Sequence, residues 1–536
     1  MPDYVAWVTK LSELEIDTDL AMGAHSIKLE ESLGTDHTAT GIIIDEQTAG
    51  EDLVFGDCVY RGSDGKWYKA RANSKKTLGE LAMVLETINT DATGKLLKYG
   101  YIRDDSFSIG SIGESLYVSE TAGKISDISP AIGTYKQKVG YTKSANIMFF
   151  NPEPYEHYQD PGDIIGVEWD QNTDTWRRIN IDGDDIYAPD FDTKSPWCDI
   201  VRCTLNDDGT ENEVGSDGKG TGVTLDGSQG RVMVRIPKFW VKADNPAPNV
   251  YRWWISPAPY TGFEVHPAFK QRGGTERNYI YVGAYEASDD GVADPDTKLL
   301  SQTNAVVTVS KTIGDMRKYA ENINAGDTRW GIMSIWTLSA IRLLYYIEYA
   351  DPNSQTTIGR GVVDVGAAVN TGADGIDANL ATNGTGTGTG PDGQTPIAYR
   401  GIENFWGNTW QFIDGYNAVD AEYRIIKRDG TGTFQDTLAA GDYEASIAAP
   451  ITVDGYQSNI LYEDNQMKLL MIPNAVDGAS TSHLCDYFWA HDTGETNILL
   501  FAGRWAAAGR AGVACLHSDD VASFAGSDVG GRLEFI

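Results

Sequence analysis

The chain has 536 residues, 41% of them hydrophobic and 10% aromatic. That is too long for one ordinary core and too apolar for wholesale disorder, so about three domains are expected. A formal charge of −34, with 43 Lys and Arg against 77 Asp and Glu, argues against a groove that follows phosphates, and no nucleic-acid partner is expected. Five cysteines, an odd number without a Cys-x-x-Cys, give no disulfide framework, and the seven scattered His give no zinc spacing. Met1 is not followed by a basic and then apolar leader, and no apolar run would span a bilayer. The expectation is a product made soluble in a cytoplasm, without signal peptide or membrane insertion.

Residues 1–155 read as a β-rich unit, with short strands at Val54–Tyr60, Gly65–Ala70, Leu116–Ser119 and Ile147–Phe150 between Gly and Asp turns. A helix is predicted from Thr77, because Glu80 completes a capping box and Leu78, Leu81, Met83, Val84 and Leu85 follow. Asn151-Pro-Glu-Pro breaks the pattern and marks a boundary. Strands with acidic turns continue through an intermediate segment, 156–229. There Cys198 and Cys203, five apart in a strand-like run, point to opposite faces and should not bond. Arg231–Ile236 alternates and stops at Pro237, as a strand should, and the C-terminal domain is placed from about 230 to 536.

Aromatic-dense runs follow at Tyr251–Pro257, Gly262–Phe269 and Tyr279–Tyr285. A first helix is predicted from Thr312, boxed by Asp315, with Ile313, Met316 and Ala320 on one face. A second runs from Thr337 to about Tyr349 and buries Leu338, Ile341, Leu344 and Tyr345. Between 362 and 395 the chain turns to Gly, Thr, Ala and Asp, including Gly384–Pro391, which predicts an exposed, mobile loop. Strands resume at Tyr399. The order suits an α+β domain with a long insert, not a parallel βαβ sheet.

Catalytic patterns do not stand out. The chain has no Gly-x-Ser-x-Gly, His-Glu-x-x-His or phosphate-loop motif. Its many carboxylates leave a glycosidase pair untestable without their separation. Asp182–Asp185, Asp207–Glu211 and Asp289–Gly291 are oxygen-rich turns that would admit Ca²⁺. None matches the twelve-residue loop, and Asp-Gly is first a turn signal, so no ligands are assigned and no cofactor is expected.

Within Tyr399–Phe412, the run Gly407-Asn408-Thr409-Trp410-Gln411-Phe412 resembles the Gly-Asn-Val-Trp-Glu-Trp signature of the C-type-lectin fold of the formylglycine-generating-enzyme type. Leu499–His517, a small-residue run around Trp505, and the close Gly530-Gly-Arg-Leu533 resemble the last strands of that fold. Bacteriophage receptor-binding proteins, among them the major tropism determinants, use the same ending. Gly113–Gly123 is similar to attachment modules of phage structural proteins. The resemblance implies β-rich N-terminal modules followed by an α+β C-type-lectin-like domain, with Trp406, Trp410 and Phe412 filling its core. The oxidases of this fold carry Cys-x-x-x-x-Cys. Laying Ala502–Trp505 over their signature puts those two positions at Ala507 and Gly512, where no thiolate can form, so no enzyme is expected.

The resemblance assigns Leu499, Phe501, Trp505, Ala511, Gly512, Ser523 and Gly530–Leu533 to the scaffold. It places Arg504, Ala506, Ala507, Arg510, Val513, His517, Ser518, Asp519, Asp520, Phe524, Ala525 and Asp528 where the family exposes its recognition residues. Such a varied surface suits recognition of a protein or glycan better than catalysis. The implied protein is a homotrimeric tail adhesin of a virion, joined to other tail proteins by its N-terminal modules and binding a receptor on the bacterial surface. The alternative is a structural virion protein, a head fibre or decoration protein, with weak or no specific adhesion. In some relatives these positions are rewritten by diversity-generating retroelements.

Overall fold

The computed structural model describes residues 29, 32–72, 77–128, 135–153, 156–157, 163–436, 441–463 and 467–536. The chain falls into two units, Met1–Asp160 and Pro161–Ile536, and strand dominates both.

In the first unit the strand Thr93–Arg103 pairs antiparallel with Thr38–Thr48, Leu81–Val84 and Ile147–Phe150, at the centre of a nine-stranded sheet. The helix expected from Thr77 is corrected to the strand Leu81–Val84. Leu81 and Met83 enter one apolar cluster with Leu97, Ile102 and Met148, while Ala82 and Val84 enter another with Val59, Trp67 and Leu96. Four consecutive apolar residues buried on both faces fit a central strand, whereas a helix would turn some of them to water. Glu80, read as a capping residue, instead binds Lys98 at 3.0 Å.

In the second unit Ile165–Asp170 pairs antiparallel with Thr175–Ile179 and Val250–Ser256, and Trp240–Ala247 and Glu264–Val265 complete a five-stranded sheet. Val201–Leu205 lies between Glu211–Val214 and Arg231–Pro237 in a second sheet. That sheet continues through Tyr279–Gly283 and Leu533–Phe535 to Trp330–Ile332. Segment 156–229 therefore supplies strands to the same sheets as the residues beyond 230. No local composition marks such pairing, because the partner strands are remote in sequence. All five cysteines are unpaired, with Cys198 in the 3₁₀ turn Trp197–Asp199 and Cys203 in a strand.

Helix α1, Ile313–Glu321, opens on the capping box expected of Thr312 and Asp315. Helix α2, Ile335–Tyr349, starts two residues earlier than its pattern indicates, because Ser334 caps it by accepting from the Thr337 N–H. Every residue from Ile335 to Glu348 is buried, so this helix is enclosed on all sides. Among the described residues no helix is long and apolar enough to cross a membrane.

Residues 362–395 are built into the unit, which corrects the exposed loop expected there. Val362, Val363, Ile376 and Leu380 are buried. Asn408 accepts from the Val369 N–H at 2.8 Å, and Glu403 accepts from the Gly372 N–H at 2.9 Å. Gly386–Thr387 pairs with Ile397–Tyr399. A segment poor in apolar side chains can be fixed in this way when its neighbours supply partners for its backbone.

The strand Leu533–Phe535 and the residue just before it carry two buried charges. Arg532 donates to Gln411 Oε1 and the Gly283 carbonyl at 2.9 Å each, and to the Glu403 and Asn404 carbonyls at 2.6 and 3.1 Å. Burial lowers its pKa to about 10, opposed by the charges of Glu286 and Glu403. Glu534 accepts from Arg272 Nε at 3.0 Å and from the Ser334 N–H and hydroxyl at 2.9 and 2.8 Å.

Two outcomes follow from this wiring. A fragment spanning 161–536 should unfold cooperatively in urea, whereas one spanning 230–536, lacking strands of two sheets, should show no near-UV dichroism. Arg532→Ala, which strips a buried charge network of its cation, should cost about 3–5 kcal/mol in chemical denaturation.

Candidate functional site

Asn497–Phe501 leads into loop 502–515, and the returning strand Leu516–His517 pairs antiparallel with it, Leu500 opposite His517. Gly503 adopts φ +81°, and a Cβ there would stand 2.6 Å from the Cβ of Ala511. The small-residue run is thus what lets this loop fold back on itself. Tyr487–Trp489 runs parallel to Leu516–His517 and sets Trp489 beside His517. Trp410–Val419 pairs in parallel with Val529–Gly530 and brings in Trp410. The two indoles meet edge to face at 5.1 Å, and the His517 ring lies 5.0 Å from Trp410 and 5.4 Å from Trp489.

These rings form one wall of a cavity of about 240 Å³. Eight of the twelve residues read as recognition positions line it: Arg504, Ala506, Ala507, Arg510, His517, Asp520, Phe524 and Asp528. Asp519 sits beside His517, and Ala525 is exposed away from the cavity wall. Val513 and Ser518 are corrected, since both are fully buried. The Val513 N–H donates to Ser354 Oγ at 3.0 Å, and Ser518 Oγ shares a 2.9 Å hydrogen bond with the Tyr416 hydroxyl. Val513 leads into Ala514–Leu516, which is buried throughout, so the chain offers no surface there. Of the residues read as scaffold, Trp505 is half-buried and Ser523 exposed. Sequence reasoning missed Trp489, while Trp410 is buried in the core as its motif indicates and also lines the cavity. The parallel pairing that joins them has no local signature.

The charges around the cavity are arranged in pairs. Arg504 forms an ion pair with Asp528 and lies 5.5 Å above the Trp505 ring, and Arg510 lies 4.9 Å above Tyr487. Asp519 contacts His517 at Nε2, and Asp520 Oδ2 stands 3.7 Å from Nδ1. Burial pushes the Asp520 carboxyl up to about 6 against the pull of His517, with Asp519, Asp528 and Asp492 adding to the rise. A cavity of this size takes one sugar ring or one amino-acid side chain, below the roughly 300–1,000 Å³ of drug-sized sites.

The Gly-Asn-x-Trp run lies behind the cavity. Asn408 Nδ2 and the Thr409 N–H both donate to the fully buried carboxylate of Glu286, and Trp406 and Phe412 are buried. Burial raises the pKa of Glu286, opposed first by Arg532 and then by its hydrogen bonds to Thr409, Asn408 and Asn404. The motif thus holds the frame on which Trp410 is mounted.

At the two positions overlaid on the oxidase cysteines, Ala507 is buried and Gly512 has φ +154° with the Asp486 carboxylate 2.3 Å from where a Cβ would be. Cys515 lies nearby, fully buried, with its thiol pushed well above the usual range by desolvation. Gly512→Cys should therefore lower stability by about 1–3 kcal/mol, the cost of overpacking, as read from thermal unfolding.

Two of the acidic turns are tied within the fold. Asp207 binds Arg231 and, at 2.9 Å, Lys298, while Asp289 accepts from the Gly291 N–H and the Thr308 hydroxyl at 3.0 Å each. Two larger hollows occur elsewhere in the second unit. One of about 420 Å³ lies against Arg272, Trp330 and Phe434, and one of about 460 Å³ against Arg360, Cys485 and Asp486. Arg272 is bound to Glu534 and the Ile332 carbonyl, and the Cys485 thiol is raised to about 12 by burial.

No family model and no curated protein matches the chain. Among solved structures, PvdO from Pseudomonas aeruginosa is similar at 11% identity and a TM-score of 0.24, over 57% of this chain and 95% of that one. The Major Tropism Determinant U1 variant is similar at 10% identity and a TM-score of 0.20, over 87% and 84%. At these scores neither likeness bears on the fold or the site.

Proposed function

We propose that the protein is a virion adhesin whose second unit, a C-type-lectin-like domain, recognises a bacterial surface protein or glycan through the cavity at Trp410, Trp489 and His517. The observation that supports this reading is the convergence of eight residues, singled out from the sequence as recognition positions, on one aromatic-walled cavity. Its wall combines edge-to-face indoles, two guanidinium groups and carboxylates. Rigid aromatic surface gives contact area at low entropic cost, and the charged rim gives selectivity. The first unit would join the chain to other tail proteins. A homotrimer, the state implied by the resemblance, would multiply weak individual sites by avidity.

The test is adsorption of the purified, fluorescently labelled protein to intact host bacteria. The triple substitution Arg504→Ala, Arg510→Ala and Phe524→Ala should weaken adsorption by about 100-fold, the loss expected on truncating a few central contacts. Its circular dichroism should not change. Retained adsorption would move the site elsewhere. Absence of adsorption by the unmodified protein, together with failure to compete with phage, would favour a structural virion component.

A further inference from the structure

We propose that His517 and Asp520, braced by Asp519, form a site for a first-row divalent cation of the Zn²⁺ class in the wall of the cavity. The three side chains offer nitrogen and oxygen atoms that all lie within 4.8 Å of one another. The imidazole packs at a tilt against two indoles, so its ring cannot turn freely. Asp519 lies at its Nε2 edge and Asp520 at its Nδ1 edge.

His517 Nδ1 and Asp520 Oδ2 are both buried atoms without a hydrogen-bond partner. They stand 3.7 Å apart, too far for a hydrogen bond. Two ligands of a tetrahedral Zn²⁺, each about 2.0–2.2 Å from the ion, stand roughly 3.3–3.6 Å apart. A cation between them would satisfy both atoms with little movement. At the opposite edge, Nε2–H faces the Asp519 carboxylate, the arrangement by which a ligating histidine is held in one tautomer.

The surroundings favour a positive ion. Asp519, Asp528 and Asp492 all act on Asp520, and the nearby Arg504 is already paired with Asp528. The imidazole selects the kind of ion. Ca²⁺ seeks six to eight oxygens, whereas a nitrogen and a carboxylate suit Zn²⁺, Co²⁺ or Ni²⁺. The remaining coordination positions would open onto the cavity, to water or to a donor atom of a bound molecule.

The test is metal uptake by the chelator-stripped full chain, and it stands or falls without reference to cell adsorption. Asp36, His37 and Asp104 form a second His–carboxylate group in the first unit, with the His37 side chain 58% exposed. Stoichiometry is therefore read on the His37→Ala protein. Calorimetric titration with ZnCl₂ should give one ion per chain, and Co²⁺ should give the visible absorption of a nitrogen-ligated ion. A large excess of Ca²⁺ should not displace either. His517→Ala and the near-isosteric Asp520→Asn should each abolish uptake, while Asp519→Asn should weaken it about 10–100-fold with stoichiometry retained. If His517→Ala fails to fold, Asp520→Asn decides. No uptake at millimolar Zn²⁺, uptake unchanged in Asp520→Asn, or displacement by Ca²⁺ would each overturn the proposal.

Discussion

Arg532 is wholly enclosed, and its guanidinium is held by oxygens from three separate stretches of chain: Gly283, the turn at Glu403 and Asn404, and Gln411. Taking a cation out of water costs several kcal/mol, which only a complete set of well-placed acceptors can offset. The acceptors, however, are brought together only when the sheet, the turn and the terminal strand are all in place. Two residues on, and on the same face of the strand by alternation, Glu534 does the same for Arg272 and the first turn of α2. Glu286 extends the network to Asn404, Asn408 and Thr409, and so to Trp410 at the cavity wall. The position of the candidate site is thus set by charges deep in the second unit.

The features legible in the sequence were those whose cause is local. Thr312 and Asp315 lie within one helical turn, and their capping box forms as written. Arg231–Pro237 is a strand whose end is fixed by the proline itself. Gly407 and Asn408, both at positive φ, together with buried Trp406 and Phe412, form the tight, core-filling turn their types indicate. What failed was set by distant partners. Leu81–Val84 follows a helix-like capping pair but is buried on both faces by strands the local pattern does not reveal. Ser518 looks like a surface residue until Tyr416, about a hundred positions away, covers it.

The cavity shows the same division. Arg504, Arg510 and Phe524 belong to one stretch of chain and could be read together, whereas Trp489 joins them only through a parallel strand pair. The His517 group escaped the sequence for a related reason. Its spacing, His-x-Asp-Asp, matches no metal motif, and only the strand end and the flanking indoles place a carboxylate at each edge of the ring.

Leu533–Phe535 lies inside its sheet, between Tyr279–Gly283 and Trp330–Ile332, rather than at an edge. During synthesis both neighbouring strands leave the ribosome long before the strand that joins them. Until it arrives, two facing rows of unpaired backbone groups and a slot meant for a guanidinium stay open. Such a nascent chain is a substrate for chaperones and a hazard for mispairing with its neighbours on a polysome. Closure is also slow, because it depends on contacts between remote parts of the sequence. The wiring that fixes the finished domain therefore leaves those two strands unjoined until Leu533–Phe535 has been made.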